Sequence, residues 1–276
     1  MSADFQIQSQ ADSLPLFGRH WPAETPTAVM SLIHGFGEHS GRYEHMAQHL
    51  NSEGISVVAI DLRGHGRTEG PRGVSRQYSD MSADVDTLLA KTKTLYPHLP
   101  HYLFGHSMGG GLVLHHGLFK RGADLDGYLV SAPLILPKDP VPKALLGLAK
   151  ILRRILPNGG LPNPISGEKI STLPNEKAIY ESDDLNHERL GFGLAVNMIG
   201  AGEEVLAKAK NWDDPLCLWH SKEDKLTDFS ASEAFSQKAQ NCEFTAFEKV
   251  EHEMHNDTSR EAVYTLMLKF MKAPTV

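Results

Sequence analysis

The chain has 276 residues, a net charge of −7, 22% charged and 41% hydrophobic residues. That length and balance suit a single folded core and exclude a disordered chain. The acid surplus supplies no overall basic field to hold nucleic-acid phosphates.

Neither Cys217 nor Cys242 sits in a metal-ligand spacing, and the fifteen histidines show none either. No metal and no other cofactor is therefore expected. The polar start, Met1 to Gln6, lacks a basic stretch leading into an apolar one, and no apolar run approaches the roughly 20 residues of a spanning helix. A cytoplasmic protein is the expectation.

In chain order, residues 28–34 and 55–61 are near-continuous apolar runs, the pattern of strands buried on both faces. Between them Tyr43, Met46, Ala47 and Leu50 fall at helical spacing over residues 42–52, with Gly54 suited to the helix end. Residues 78–95 repeat the helical pattern through Met81, Val85, Leu88 and Leu89, and Pro97 closes it. Strands at 102–106 and 125–131 follow. This alternation predicts crossover units, an α/β fold with a mostly parallel sheet flanked by helices.

After Pro133 the rhythm breaks until a strand at 215–220, a gap of roughly 80 residues against about 4–6 for ordinary connections. The gap holds helical sequence at 143–156 and 190–210, separated by Pro- and Asn-rich turns. The economical reading is a helical cap, residues 134–210, inserted into a core formed by 1–133 and 211–276. Such a cap stands over the carboxyl edge of the sheet, where open α/β sheets bind ligands. A helix at 229–240, a strand at 243–247 and a closing helix at 259–272 complete the pattern.

The most informative segment is Gly105-His106-Ser107-Met108-Gly109, entered from a short apolar strand and followed by helical sequence. Gly-x-Ser-x-Gly in that context is a nucleophile elbow, with the serine hydroxyl raised above the sheet. A serine hydroxyl is a weak nucleophile near neutral pH, so it needs a base, and the base needs an orienting carboxylate. Hydrolases with this elbow supply the acid and then the histidine from later loops. Asp224 follows the 215–220 strand and is the favoured acid, with Glu223 and Asp228 as rivals. His252 opens the loop after the final strand and is favoured over His255. The oxyanion needs two backbone donors: Met108, next to the serine, and Phe36 in the His34-Gly35-Phe36-Gly37 turn.

Several of these segments resemble one group. His34-Gly35-Phe36-Gly37-Glu38-His39-Ser40-Gly41-Arg42-Tyr43 resembles the oxyanion segment of the monoacylglycerol lipase and lysophospholipase group of α/β-hydrolases. The turn from Asp61 to Gly70 is similar to that group's Asp-x-x-Gly-His-Gly-x-Ser, with Thr68 in place of serine. Gly105 to Gly110 matches its nucleophile motif. His220 to Asp224 fits its His-Gly-x-x-Asp with Ser221 in place of glycine. His252-Glu253 fits its terminal histidine segment, with Glu251 where an aromatic is common. The resemblance implies the α/β-hydrolase fold, the triad Ser107, Asp224 and His252, and oxyanion donors at Phe36 and Met108. It also implies a serine ester hydrolase acting on lipid monoesters, monoacylglycerol first; lysophospholipids, thioesters and small esters are the alternatives. A non-catalytic ligand-binding protein on the same fold is the alternative from another class.

The cap sequence bears on the substrate. Helix 143–156 is apolar around most of its circumference, with Lys143, Lys150, Arg153 and Arg154 on the remaining face. Such a helix suits peripheral contact with a membrane, although a packed helix with a solvated basic stripe would read the same way. Leu145, Leu148, Leu152 and Met198 are the candidates for an acyl-binding wall.

Overall fold

The computed structural model describes residues 2–119 and 124–272. Its centre is an eight-stranded sheet with the order β1-β2-β4-β3-β5-β6-β9-β10. The strands are β1 (Ala3–Gln8), β2 (Pro15–Trp21), β3 (Ala28–Ile33), β4 (Ile55–Ile60), β5 (His101–His106), β6 (Gly127–Ser131), β9 (Leu216–Ser221) and β10 (Cys242–Phe247). β1 and β2 pair antiparallel, as do β2 and β4; every pair from β4 to β10 is parallel. The protein has the α/β-hydrolase fold. β1 and β2 form an antiparallel edge outside the sequence expectation, with the residues of β1 alternating between exposed and half-buried. Pro15 begins β2, where a missing donor costs least.

The central strands are buried on both faces because successive side chains point opposite ways. Met30, Leu32, Val57, Phe104 and Trp219 join one core with Tyr43, Met46, Leu50, Val263 and Met267. The last five come from around α1 (Glu44–Ser52) and from α8 (Arg260–Lys272). Val29, Ile33, Val58, Leu103 and Leu218 join the other, under α2 (Tyr78–Leu95) and α3 (Met108–Phe119).

Between β6 and β9 the chain adds nothing to this sheet. It builds α4 (Lys143–Ile155), a two-stranded ribbon of β7 (Gly160–Pro162) and β8 (Arg189–Gly191), α5 (Pro174–Glu181) and α6 (Phe192–Lys208). α7 (Phe229–Ser236) then follows β9. α4 rests on α6, and α6 on α3. The segment is tied down by the His39–Asp183 pair at 2.8 Å, by Arg260 on Glu176, and by the Glu253 N–H on the Ile170 carbonyl at 2.7 Å. No helix among the described residues is long and apolar enough to cross a membrane.

Candidate active site

Four loops leaving the carboxyl ends of parallel strands meet under the segment between β6 and β9. Ser107 lies between β5 and α3 at φ +54, in the left-handed region that favours glycine. The turn is held open by Ser107 N–H on Ser131 O at 2.9 Å, while Ser107 O accepts from Leu134 N at 2.8 Å. The elbow requires its flanking glycines. A Cβ on Gly105 would lie 2.5 Å from Gly109 O, and one on Gly109 2.4 Å from His34 O. Backbone strain kept in place by its surroundings marks a site with a purpose.

Asp224 follows β9 and is almost fully enclosed, with five protein donors. Its Oδ1 accepts the N–H groups of Leu226 and Thr227 at 2.7 and 3.0 Å. Its Oδ2 accepts His252 Nδ1 at 2.6 Å, Thr227 Oγ1 at 2.9 Å and His220 Nε2 at 3.0 Å. Burial alone would raise the Asp224 pKa, but the His252 and His220 imidazoles hold it well below the carboxylate range. Burial opposes charge on His252 too; the adjacent Asp224 carboxylate overcomes it and lifts the imidazole above its ordinary value. With Nδ1 donating to Asp224, His252 presents Nε2 as the proton acceptor.

The rival residues weighed from sequence make other contacts. Glu223 turns away and accepts the Lys249 N–H at 3.0 Å. Asp228 caps α7 by accepting Ser230 N–H at 3.0 Å. His255 stacks on Tyr43, with ring centroids 5.1 Å apart. Ser221, in the position of the expected glycine, donates to Val250 O at 2.6 Å and so ties the acid loop to the histidine loop.

The turn after β3 carries Phe36. Glu38 braces it from below, accepting Gly35 N–H at 2.6 Å, Tyr43 Oη at 2.8 Å and Arg42 Nη1 at 2.8 Å. Arg42 also makes a fork of two bonds, at 2.5 and 2.7 Å, to Glu253, the residue after His252. Met108 opens α3, where an N–H has no partner inside its own helix. Among the described residues, neither the Phe36 nor the Met108 N–H reaches a protein acceptor.

Ser107, His252, Phe36, Gly35, His106, Glu38 and Glu253 line one cavity of about 20 Å³ together with Ile165, Ile170, Tyr180 and Leu226. None of the four residues expected to form an acyl wall lines this cavity. Leu145 and Leu148 are 48% and 49% exposed on the outer side of α4, Leu152 is half-buried, and Met198 belongs to the core beside the sheet. The reason is physical: α4 is apolar around most of its girth, and only one side of it can rest on α6.

A family model described as serine aminopeptidase, S33, matches residues 24–259. The chain belongs to this hydrolase family. The chain is similar to the monoacylglycerol lipase of Mycolicibacterium smegmatis, 31% identical over 247 residues and 88% of each chain. It is 34% identical over 273 residues to an abhydrolase domain-containing protein of Dictyostelium discoideum, spanning 96% of this chain and 28% of that one. The crystal structure of Paleococcus ferrophilus monoacylglycerol lipase superposes with a TM-score of 0.84 at 26% identity, over 93% of this chain and 98% of that one.

Two features of this S33 hydrolase escaped the sequence reading. His220 is a second imidazole on the acid, fixed on its other side by Ser232 Oγ at 2.8 Å. Its position four residues before Asp224, at the end of a buried strand, was the available signal. The cavity lining of Ile165, Ile170 and Tyr180 comes from irregular chain and a short helix, where apolar spacing shows no period.

Proposed function

We propose that the protein hydrolyses monoacylglycerols to glycerol and fatty acid through an acyl-Ser107 intermediate. The observation that carries this is His252, paired with Asp224, lining the same cavity as the strained Ser107. His252 Nε2 takes the hydroxyl proton as Ser107 Oγ attacks the ester carbonyl, and Asp224 stabilises the imidazolium. The Phe36 and Met108 N–H groups receive the oxyanion, an effect of roughly 3–4 kcal/mol per donor in comparable sites. His252 then protonates the departing glycerol oxygen. Water, deprotonated by the same nitrogen, releases the fatty acid and restores Ser107.

The substrate assignment is supported by relatives named as monoacylglycerol lipases and by the surface of the cap. Leu145, Leu148, Ile151 and Ile155 on α4 are 48–69% exposed, with Leu156 and Leu161 beside them. An apolar face of this kind suits peripheral contact with a lipid surface, from which an acyl chain enters. A cavity of about 20 Å³ holds little more than a water molecule, so entry requires Ile165, Ile170 and Tyr180 to move aside. The peptidase reading in the family's description is disfavoured by the cavity's carboxylates. Every oxygen of Glu38 and Glu253 already accepts from a protein donor, leaving none unengaged for a substrate ammonium.

Labelling with a fluorophosphonate tests the chemistry. Mass spectrometry should locate the adduct on Ser107, and His252→Ala should slow labelling by orders of magnitude. An adduct on another residue, or none, would refute the proposed nucleophile.

A further inference from the structure

Beside the exposed apolar face lies a group of arginines held together by neutral acceptors. Arg189 donates to the carbonyls of Asn158 and of Arg72, the latter at 3.2 Å. Arg76 reaches Asn158 Oδ1 at 3.4 Å, and Arg153 donates to Asn197 Oδ1 at 2.9 Å. Asn197 Nδ2 in turn donates to Arg76 O at 3.3 Å. Arg154, exposed, follows Arg153 on α4. The group spans the loop before α2, the end of α4, the β7–β8 ribbon and α6.

None of these five arginines has a carboxylate within ion-pair distance among the described residues. Arg19, Arg42, Arg63, Arg67 and Arg260, the other described arginines, all do. In a chain with net charge −7, acids to neutralise the group were plentiful. Gathering like charges is unfavourable unless an anion is drawn to them. Asn158, which bridges Arg76 and Arg189, sits between Leu156 and Leu161, which are 52% and 54% exposed. Cations ringing exposed apolar anchors match a surface whose headgroups are negative and whose interior is hydrocarbon.

We infer that Arg72, Arg76, Arg153, Arg154 and Arg189 dock the protein on the phosphodiester headgroups of an anionic lipid surface. The inference deepens the lipid-facing reading of the cap and rests on it. Guanidiniums suit the task, since their planar forks pair with phosphate oxygens. The apolar face supplies depth; the arginines select the charge of the surface and set the side on which α4 enters it.

The test is sedimentation with phosphatidylcholine vesicles prepared with and without phosphatidylglycerol. The protein should partition more strongly onto the anionic vesicles, and added salt should weaken that preference. Replacing both Arg76 and Arg154 by Gln should lower partition onto anionic vesicles about 25-fold, at about fivefold per charge, and leave neutral vesicles nearly unaffected. An unchanged unfolding midpoint shows that the pair still folds, and Lys93→Gln, at the far end of α2, is the matched control. Inorganic phosphate should compete no better than chloride at equal ionic strength. Equal binding to both vesicle types, no effect of the arginine substitutions, or specific displacement by inorganic phosphate would each overturn lipid docking. Fatty-acid release from monoacylglycerol in neutral detergent micelles separates the two readings: its absence alongside intact anionic binding sinks only the lipase assignment.

Discussion

The carboxylate of Asp224 accepts from two imidazoles, and we propose that this sharing tempers how basic His252 becomes. His220 Nε2 donates to the same Oδ2 that accepts from His252 Nδ1. His220→Asn withdraws one donor and leaves more negative charge for His252. The acid limb of kcat/KM against pH should then move to higher pH, with kcat reduced; a limb that stays in place would show His220 to be structural only. In the proposed mechanism, His252 must be neutral to accept the Ser107 proton, and its pKa lies above the ordinary imidazole value. Activity should therefore rise with pH through a midpoint above about 6.5, readable from kcat/KM on a soluble ester. Ser107, Asp224 and His252 could be nominated from sequence because each follows a recognisable strand in a fixed order. His220 was not, because a buried histidine at a strand end reads the same whether it packs or hydrogen-bonds.

At the scale of elements, one tie between the β6–β9 segment and the rest of the chain is backbone on backbone, Gly191 N–H on Gly73 O at 2.9 Å. Gly73 has φ +63, and a Cβ there would stand 1.7 Å from Arg189 O in β8. Gly73→Ala must push the ribbon away and also strain its own backbone, at a cost of about 1–3 kcal/mol. A clear fall in the unfolding midpoint is expected; an unchanged midpoint would mean that the ribbon is not fixed there. The outward side of α4 gives a separate expectation. Leu148→Glu with Ile151→Glu should reduce turnover of vesicle-borne monoacylglycerol at least tenfold more than turnover of a water-soluble ester, an effect scaling with lost apolar burial. An equal loss on both substrates would place the defect in the active site. The existence of α4 and α6 was legible from composition and spacing. Which side of α4 faces outward was not, because its apolar residues cover more than one face and only contact with α6 chooses between them.

Across the whole molecule, neutral histidines are built into the interior. Burial pushes His101, His187 and His255 down to about 4, and His65 and His106 well below the ordinary value. Folded-state pKa values below the unfolded one mean that the unfolded chain binds more protons between about pH 6.5 and 4. Their contribution to stability is present above that window and is lost as pH falls through it, by up to about 1.4 kcal/mol per pH unit for each fully buried histidine and by less for the partly exposed His187. His252 works in the opposite sense. The unfolding midpoint should therefore drop steeply from pH 7 to pH 5, and a flat profile would contradict the buried neutral state. At this scale the parallel sheet was legible from its doubly apolar strands. The β1–β2 edge was not: its short alternating run, with Phe5 and Ile7 half-buried, carries a weak signal and gains its partner only through tertiary pairing.

The most direct test of the central claim is fatty-acid release from monoacylglycerols, lysophosphatidylcholine, triacylglycerol and short p-nitrophenyl esters, with Ser107→Ala in parallel. Monoacylglycerols should be turned over preferentially, at a rate reduced by several orders of magnitude in the variant. Turnover confined to short activated esters would contradict the substrate assignment, and activity surviving in Ser107→Ala would contradict the mechanism.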